Sequence, residues 1–234
     1  MRRSTSGLAG RQTSVRVRSV RSVRVIERYE RVPVVVRKAD PAAPEVAGRL
    51  LDLVASVVPD LRAEHVGSSA VPGLAGKGTI DLLLPAPRER IPAVAEALIE
   101  LGFQRQSIPQ AFPPSRPMLQ GVIRHRDQRY RVHLHIVPAT SQEVTELRGF
   151  RDALRADERL RRDYEELKRD IVARGLTDSV DFTGAKRSFI VAALGRLGLR
   201  AAEDRDGQNG DGQNGDGHDG HGHDGHGWER VQRA

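Results

Sequence analysis

The sequence predicts an α+β fold, a mixed β-sheet packed by helices and followed by a C-terminal helical section. Three observations carry this reading. Around residues 62–84 and 120–137, short apolar or alternating blocks are bounded by Gly, Pro and Asp, as strands are. Between and after those blocks, apolar residues recur every three or four positions over longer spans, as on helices that cover one face of a sheet. Beyond residues 32–200 this periodicity stops, so the 234 residues divide into a disordered basic arm (1–31), one domain (32–200) and a disordered Gly/Asp/His-rich tail (201–234).

The charge of the chain is unevenly spread. Residues 1–31 carry nine Arg against two Glu, and residues 201–234 carry eight acids against three Arg, within a net charge of +7. The domain between them is left mildly basic, which suits phosphate-bearing ligands and does not by itself argue for nucleic acid. The absence of Cys excludes disulfides and thiolate metal sites. No apolar run approaches the roughly 18 residues of a membrane span, and Arg interrupts every candidate secretory core, so the expected setting is cytoplasmic and membrane-free. Only four of the 38 basic residues are Lys: Lys38, Lys77, Lys168 and Lys186. The Val15–Arg18 alternation has strand period but no partner. Weak electrostatic contact with RNA or anionic lipid through residues 1–28 is the alternative to a purely disordered arm.

In chain order, Val32–Val36 reads as a first short strand and Asp40–Pro44 as a turn. Glu45–Val58 reads as a helix opened by Pro44 and stopped by Pro59. The stretch HVGSSAVPGLAGKGTIDLLL, His65–Leu84, then reads as strand, tight turn and strand. Gly67 lets backbone approach a ligand closely, and Ser68 and Ser69 offer hydroxyls beside free N–H groups. Asp81 sits in an aliphatic run, where its charge is costly unless a cation, donor or water meets it. The Gly73–Thr79 segment is not a P-loop, because Val71 occupies the first glycine position and Gly78 follows Lys77.

Residues 91–102 read as a second amphipathic helix with Gly102 as its cap. Residues 104–119, with four Pro, read as a loop or lid anchored by Phe112. Val122–Arg126 and Tyr130–Val137 read as a strand pair turning at 126–129. Their period of two sends Arg131, His133 and His135 to one face and Tyr130, Val132, Leu134 and Ile136 to the other. Solvent-facing polar residues are the ordinary meaning of such a pair of His; shared ligation of one metal or phosphate is the functional one. Thr140–Glu143 fits a capping box, and Asp157 starts a further segment. Arg148, Arg151 and Arg155 form a basic stripe, ordinarily a solvated one, and Thr183 is positioned to cap a last helix through Lys186. Four of the eight His fall between 218 and 226, in a low-complexity stretch able to bind Ni²⁺, Zn²⁺ or Cu²⁺ loosely.

The His65–Leu84 stretch resembles the signature of the GrpB family, with Ser69 in place of the usual Thr and Gly78-Thr79 in place of Pro-Ile. HLHIVP at 133–138, FRDALRAD at 150–157, YEELK at 164–168 and the Lys186 region match as well, so the resemblance covers about residues 32–195. It implies a nucleotidyltransferase-like fold without implying an established reaction. In that template a Gly-Ser turn holds the triphosphate, and two or three carboxylates hold Mg²⁺ for in-line displacement. Gly67, Ser68 and Asp81 fit, whereas the second carboxylate position is Leu83. The resemblance also singles out His133 or His135 to complete the Asp81 site, with Arg151 and Lys168 matching family positions. Phe182 stands where the family pattern has Tyr.

The resulting expectation is a domain binding a nucleotide or phosphate ester, with metal-dependent nucleotidyl transfer as the enzymatic form. Gly67, Ser68, Ser69, Lys77, Arg151, Lys168 and Lys186 would hold phosphate. Asp81, His133 and His135 would be catalytic and would hold Mg²⁺ or another divalent metal. The rival expectation is a non-catalytic accessory module, since domains resembling this one occur fused to dephospho-CoA kinase.

Overall fold

The computed structural model describes residues 25–106 and 112–199. The basic arm up to residue 24, part of the 104–119 loop and the acidic His-rich tail lie outside the described residues.

Helix α1 spans Ala43–Val57, with Pro44 in its first turn. Strand β1 (Glu64–Val66) leads through a one-turn 3-10 segment at Ser68–Ala70 to β2 (Thr79–Ala86). Helix α2 (Ile91–Glu100) follows, then the short β3 (Gln104–Arg105), and then β4 (Met118–His125) and β5 (Gln128–Pro138) as a long hairpin. Four helices close the described chain: α3 (Gln142–Ala156), α4 (Glu158–Ala173), α5 (Ser179–Ala185) and α6 (Arg187–Arg196).

The sheet order is β1-β2-β5-β4-β3, with β2 and β5 parallel and every other pair antiparallel. The α+β class, the mixed sheet and the C-terminal helical section are therefore as the sequence predicts. The two faces have different chemistry because side chains alternate along each strand. Ile80, Leu82, Leu84, Val132, Leu134 and Ile136 face α1 and α2 and form the main core. The opposite face carries Asp81, His133 and His135 and is roofed by the C-terminal helices.

Several local expectations are corrected. Val32–Val36 is not a strand; it runs as coil, and Val34 N–H donates to Thr177 O at 2.8 Å. Pro33 has no N–H to give a ladder, and no neighbouring strand runs beside the segment. The hairpin turns tightly at Arg126-Asp127, with Arg126 at φ 54°, so β5 starts two residues earlier than expected, while β4 ends one residue earlier and begins four residues earlier, at Met118. Ser141, not Thr140, caps α3 by accepting from Glu143 N–H, while the Glu143 carboxylate pairs with Arg116 at 3.0 Å instead of closing a box. Thr183 lies inside α5 and donates to Ser179 O; the cap of that helix is Asp178. Asp157 caps α4 as expected, accepting from Leu160 N–H.

Residues 25–31, placed by composition in the arm, lie against the domain. Ile26 is buried in the main core, and Glu27 exchanges two backbone hydrogen bonds with Val122. Gly102 and Gly121 make room for it, since a Cβ at either would overlap Ile26. Gly102 thus ends α2 at φ 110° and also admits this strap.

Candidate functional site: a cationic cleft on the sheet

Strand register alone builds the floor of the site. Val66, Asp81, His133, Gln120 and Gln104 are successive partners across five strands, so Asp81 and His133 are direct neighbours on one face. His133 Nδ1 lies 3.3 Å from Asp81 Oδ1. The next row places His135 beside Leu83 and Met118. A cleft of about 1790 Å³ opens above these rows, between the sheet, the Gly67–Thr79 connection and α3–α6.

Gly67 has φ 71°, and a Cβ there would sit 2.6 Å from Asp81 Oδ2. The turn therefore folds its backbone onto the carboxylate, which only glycine permits. Burial alone would push the Asp81 carboxyl up; the positive charge of Lys77, then the hydrogen bond from His133, hold it well below the usual carboxylate range. An ionised Asp accepts only, so His133 donates through Nδ1. Burial foremost, reinforced by Lys77, lowers the His133 pKa, so the imidazole is neutral and Nε2 accepts from the Tyr29 hydroxyl at 3.1 Å. Burial holds His135 at about 4, and its ring meets Phe112 edge-on at 5.8 Å.

The predicted phosphate-binding residues divide into two groups. Lys77, Lys186 and Ser68 line the cleft with Asp81. Lys168 lines the cleft as well but is buried to 1% exposure and already engaged, donating to Ala75 O and to Ser68 Oγ at 3.4 Å and lying 4.6 Å over the Tyr164 ring. Burial, with Lys186 nearby, brings Lys168 down to about 7; burial brings Lys186 to about 8, opposed by Asp81. Lys186 also lies 4.6 Å over Phe182, the apolar ring that replaces an expected Tyr.

Ser69 and Arg151 are brought to the same wall but engaged elsewhere. Ser69 Oγ lies 2.9 Å from His65 Nε2. Arg151 donates to Glu64, Asp152 and His65 O. The Arg stripe of α3 is thus only partly solvated: Arg151 is 13% exposed, Arg148 and Arg155 are nearly half exposed, and all three are engaged. Arg148 and Arg151 bind Glu64, and Arg155 donates twice to Ala70 O, clamping α3 to β1 and to the turn.

Two participants were not among the site residues expected from the sequence. Tyr29 arrives from the strap, its N–H donating to Gln104 Oε1 at 3.1 Å, and nothing in the surrounding Arg-rich pattern marks it. Arg131 shares the face of the two His, a period-two relationship, and donates to Lys77 O at 3.4 Å.

Residues 33–196 match the family model described as GrpB protein. The chain belongs to the GrpB family. A UPF0157 protein of Streptomyces coelicolor is 30% identical over 64% of this chain and 74% of its own length. The crystal structure of the conserved GrpB protein from Enterococcus faecalis superposes with a TM-score of 0.58 at 22% identity, covering 70% of this chain and 97% of that one. The GLD-2/RNP-8 complex aligns at a TM-score of 0.46 and 13% identity, over 67% of this chain and 61% of that one. In this GrpB domain the GrpB-like segments from His65 to Leu84 and from His133 to Pro138 supply the floor and turn of one cleft. Tyr29 lies ahead of the matched residues.

The divalent-metal expectation can be tested on donor geometry. His133 has both ring nitrogens engaged, Leu83 packs with Val66, Val137 and Val144, and Gly67 covers one oxygen of Asp81. Among the described residues no group of three or more His, Cys, Asp and Glu side chains is placed to hold a metal ion. The Asp81–His133–His135 set does not fit one. Among the described residues, too, no helix is long and apolar enough to cross a membrane.

Proposed function

We propose that the cleft binds a nucleotide or another phosphate ester, the anion being held by Lys77, Lys186, the Ser68 hydroxyl and the Gly67–Ser68 turn. One observation carries this reading: three lysines, Lys77, Lys168 and Lys186, line one cleft with Asp81. Cations in excess of acids in a partly desolvated cleft are costly, and an anionic ligand offsets that cost. Lys168 also holds the turn, donating to Ala75 O and Ser68 Oγ, so the loop that meets the ligand is fixed by a buried lysine.

Leu83 and the fully engaged His133 favour a binding or accessory role over metal-dependent nucleotidyl transfer. Thermal unfolding with ATP, GTP, CTP and pyrophosphate at millimolar concentration tests the proposal. At least one should raise the midpoint, and Lys186→Met should remove most of the shift. Unchanged midpoints with all four ligands would sink it.

A further inference from the structure

The mismatch between the donor set and a divalent ion points to how this cleft handles charge, on the reading that it binds a phosphate ester. Three features remove the metal position. His133 has no free lone pair, because Nδ1–H faces Asp81 at 3.3 Å and Nε2 accepts from Tyr29 at 3.1 Å. The strand position that would carry a second carboxylate is Leu83, fully buried under α3. The Gly67 backbone packs against Asp81 on its Oδ2 side, where a Cβ would sit only 2.6 Å from that oxygen.

A cation nonetheless lines the same cleft as Asp81. Lys77 precedes β2, four residues ahead of the carboxylate in sequence. Its loop is held on both sides: Arg131 donates to Lys77 O, and Gly76 exchanges two backbone hydrogen bonds with Arg37. An ammonium on a fixed loop can neutralise Asp81 and still donate to a phosphate oxygen, since it has three donors.

We propose that this cleft binds its phosphate ester without a divalent cation, the Lys77 ammonium on the wall of the same cleft supplying positive charge that a metal would otherwise bring. Tyr29 is a positioning residue in this arrangement, because its hydroxyl occupies the nitrogen through which His133 could ligate. Mg²⁺ then competes with the lysines for the charge of a polyphosphate.

Calorimetric titration of the full-length protein with ATP and with pyrophosphate, in EDTA and in millimolar Mg²⁺, decides the matter. Because the tail carries eight acids that can hold Mg²⁺ through oxygen, a titration with Mg²⁺ alone is subtracted from the readout. Affinity in EDTA should equal or exceed that in Mg²⁺. Lys77→Met should weaken binding by about tenfold or more in both conditions, with no recovery in Mg²⁺. Tightening of the wild type by about tenfold on adding Mg²⁺ overturns the inference, as does a Lys77→Met protein that binds like the wild type. The wild-type comparison stands even if the variant does not fold. Binding seen only with Mg²⁺ overturns this inference and leaves the phosphate-ester reading intact, whereas no binding in either condition overturns both.

Discussion

His133 lies directly opposite Asp81 across the parallel β2/β5 pair, with its Nδ1 3.3 Å from Oδ1 and its Nε2 3.1 Å from the Tyr29 hydroxyl. One neutral imidazole therefore satisfies a half-buried acceptor on one side and a half-buried donor on the other. His133→Asn retains a donor toward Asp81, whereas His133→Ala leaves the carboxylate without its donor and the phenol without its acceptor. Urea denaturation should show His133→Ala less stable than wild type by about 1–3 kcal/mol, with His133→Asn recovering part of the loss. Equal stability of the two variants would show that the hydrogen bond to Asp81 contributes nothing.

Gly67 allows the turn and the carboxylate to meet. At φ 71° any side chain is strained, and the nearest atom to an added Cβ is Asp81 Oδ2 at 2.6 Å. Gly67→Ala should destabilise the domain by about 2–4 kcal/mol, combining backbone strain with overpacking. Gly73, also at positive φ but with open space around it, should show only the backbone part on Gly73→Ala. The difference between their urea midpoints measures the Asp81 contact.

Two imidazoles predict a loss of stability in acid. Burial above all holds both His65 and His135 at about 4, against 6.5 for the unfolded chain. Between those values the unfolded state binds protons that the folded state does not, so their contribution is complete above about pH 6.5 and falls away toward pH 4. Each contributes a slope of at most about 1.4 kcal/mol per pH unit in that window. His135→Asn should flatten the stability profile by up to one proton there, as read from unfolding free energies at several pH values. An unchanged slope would mean that His135 protonates in the fold.

How far the sequence reveals this site depends on the range of the interaction. Period-two alternation from Tyr130 to Val137 is local, and it correctly separates the faces of His133 and Ile136. Which strand lies beside β5 is set by the tertiary fold, so the pairing of Asp81 with His133 is not contained in either segment's own pattern. The Arg148–Arg155 stripe looks like a solvated face because its partners, Glu64 and the carbonyls of His65 and Ala70, lie more than eighty positions away. Tyr29 was hidden for another reason. The Arg-rich composition around it describes a chain unable to make its own core, yet Ile26 buries itself in a core made by others. Thr183 and Thr140 show the limit of capping signals: each has a suitable side chain, but neighbouring Asp178 and Ser141 hold the extended backbone that an N-cap requires.

The lysines act on the alkaline side. Lys168 titrates at about 7 and Lys186 at about 8, both brought down foremost by burial, against 10.5 unfolded. From about pH 7 to 10.5 the unfolded chain carries protons that the folded chain has shed, so these groups make stability rise with pH. Lys168→Met should remove about one proton from that slope. It should also lower stability at pH 9 by about 1–3 kcal/mol, because Ala75 O and Ser68 lose their donor. Unfolding free energies of the two proteins from pH 7 to 10 check both parts.

The strap supplies the last expectation. Ile26 is buried at 1% exposure among Gly102, Gly121 and Phe103, and it is followed by Glu27, which pairs with both Arg124 and Arg129. Those ion pairs are largely solvent-exposed and contribute little, so the apolar anchor carries the docking. Ile26→Ala should cost about 2–5 kcal/mol if the strap is part of the cooperative fold, and Glu27→Gln should leave stability nearly unchanged. Because Tyr29 follows three residues later, loosening Ile26 should also withdraw the phenol from His133. In ¹⁵N spectra of the imidazole, Ile26→Ala should then shift the His133 Nε2 resonance in the same sense as Tyr29→Phe. A destabilised protein with that resonance unmoved would show that Tyr29 is held by Gln104 and not by the buried anchor.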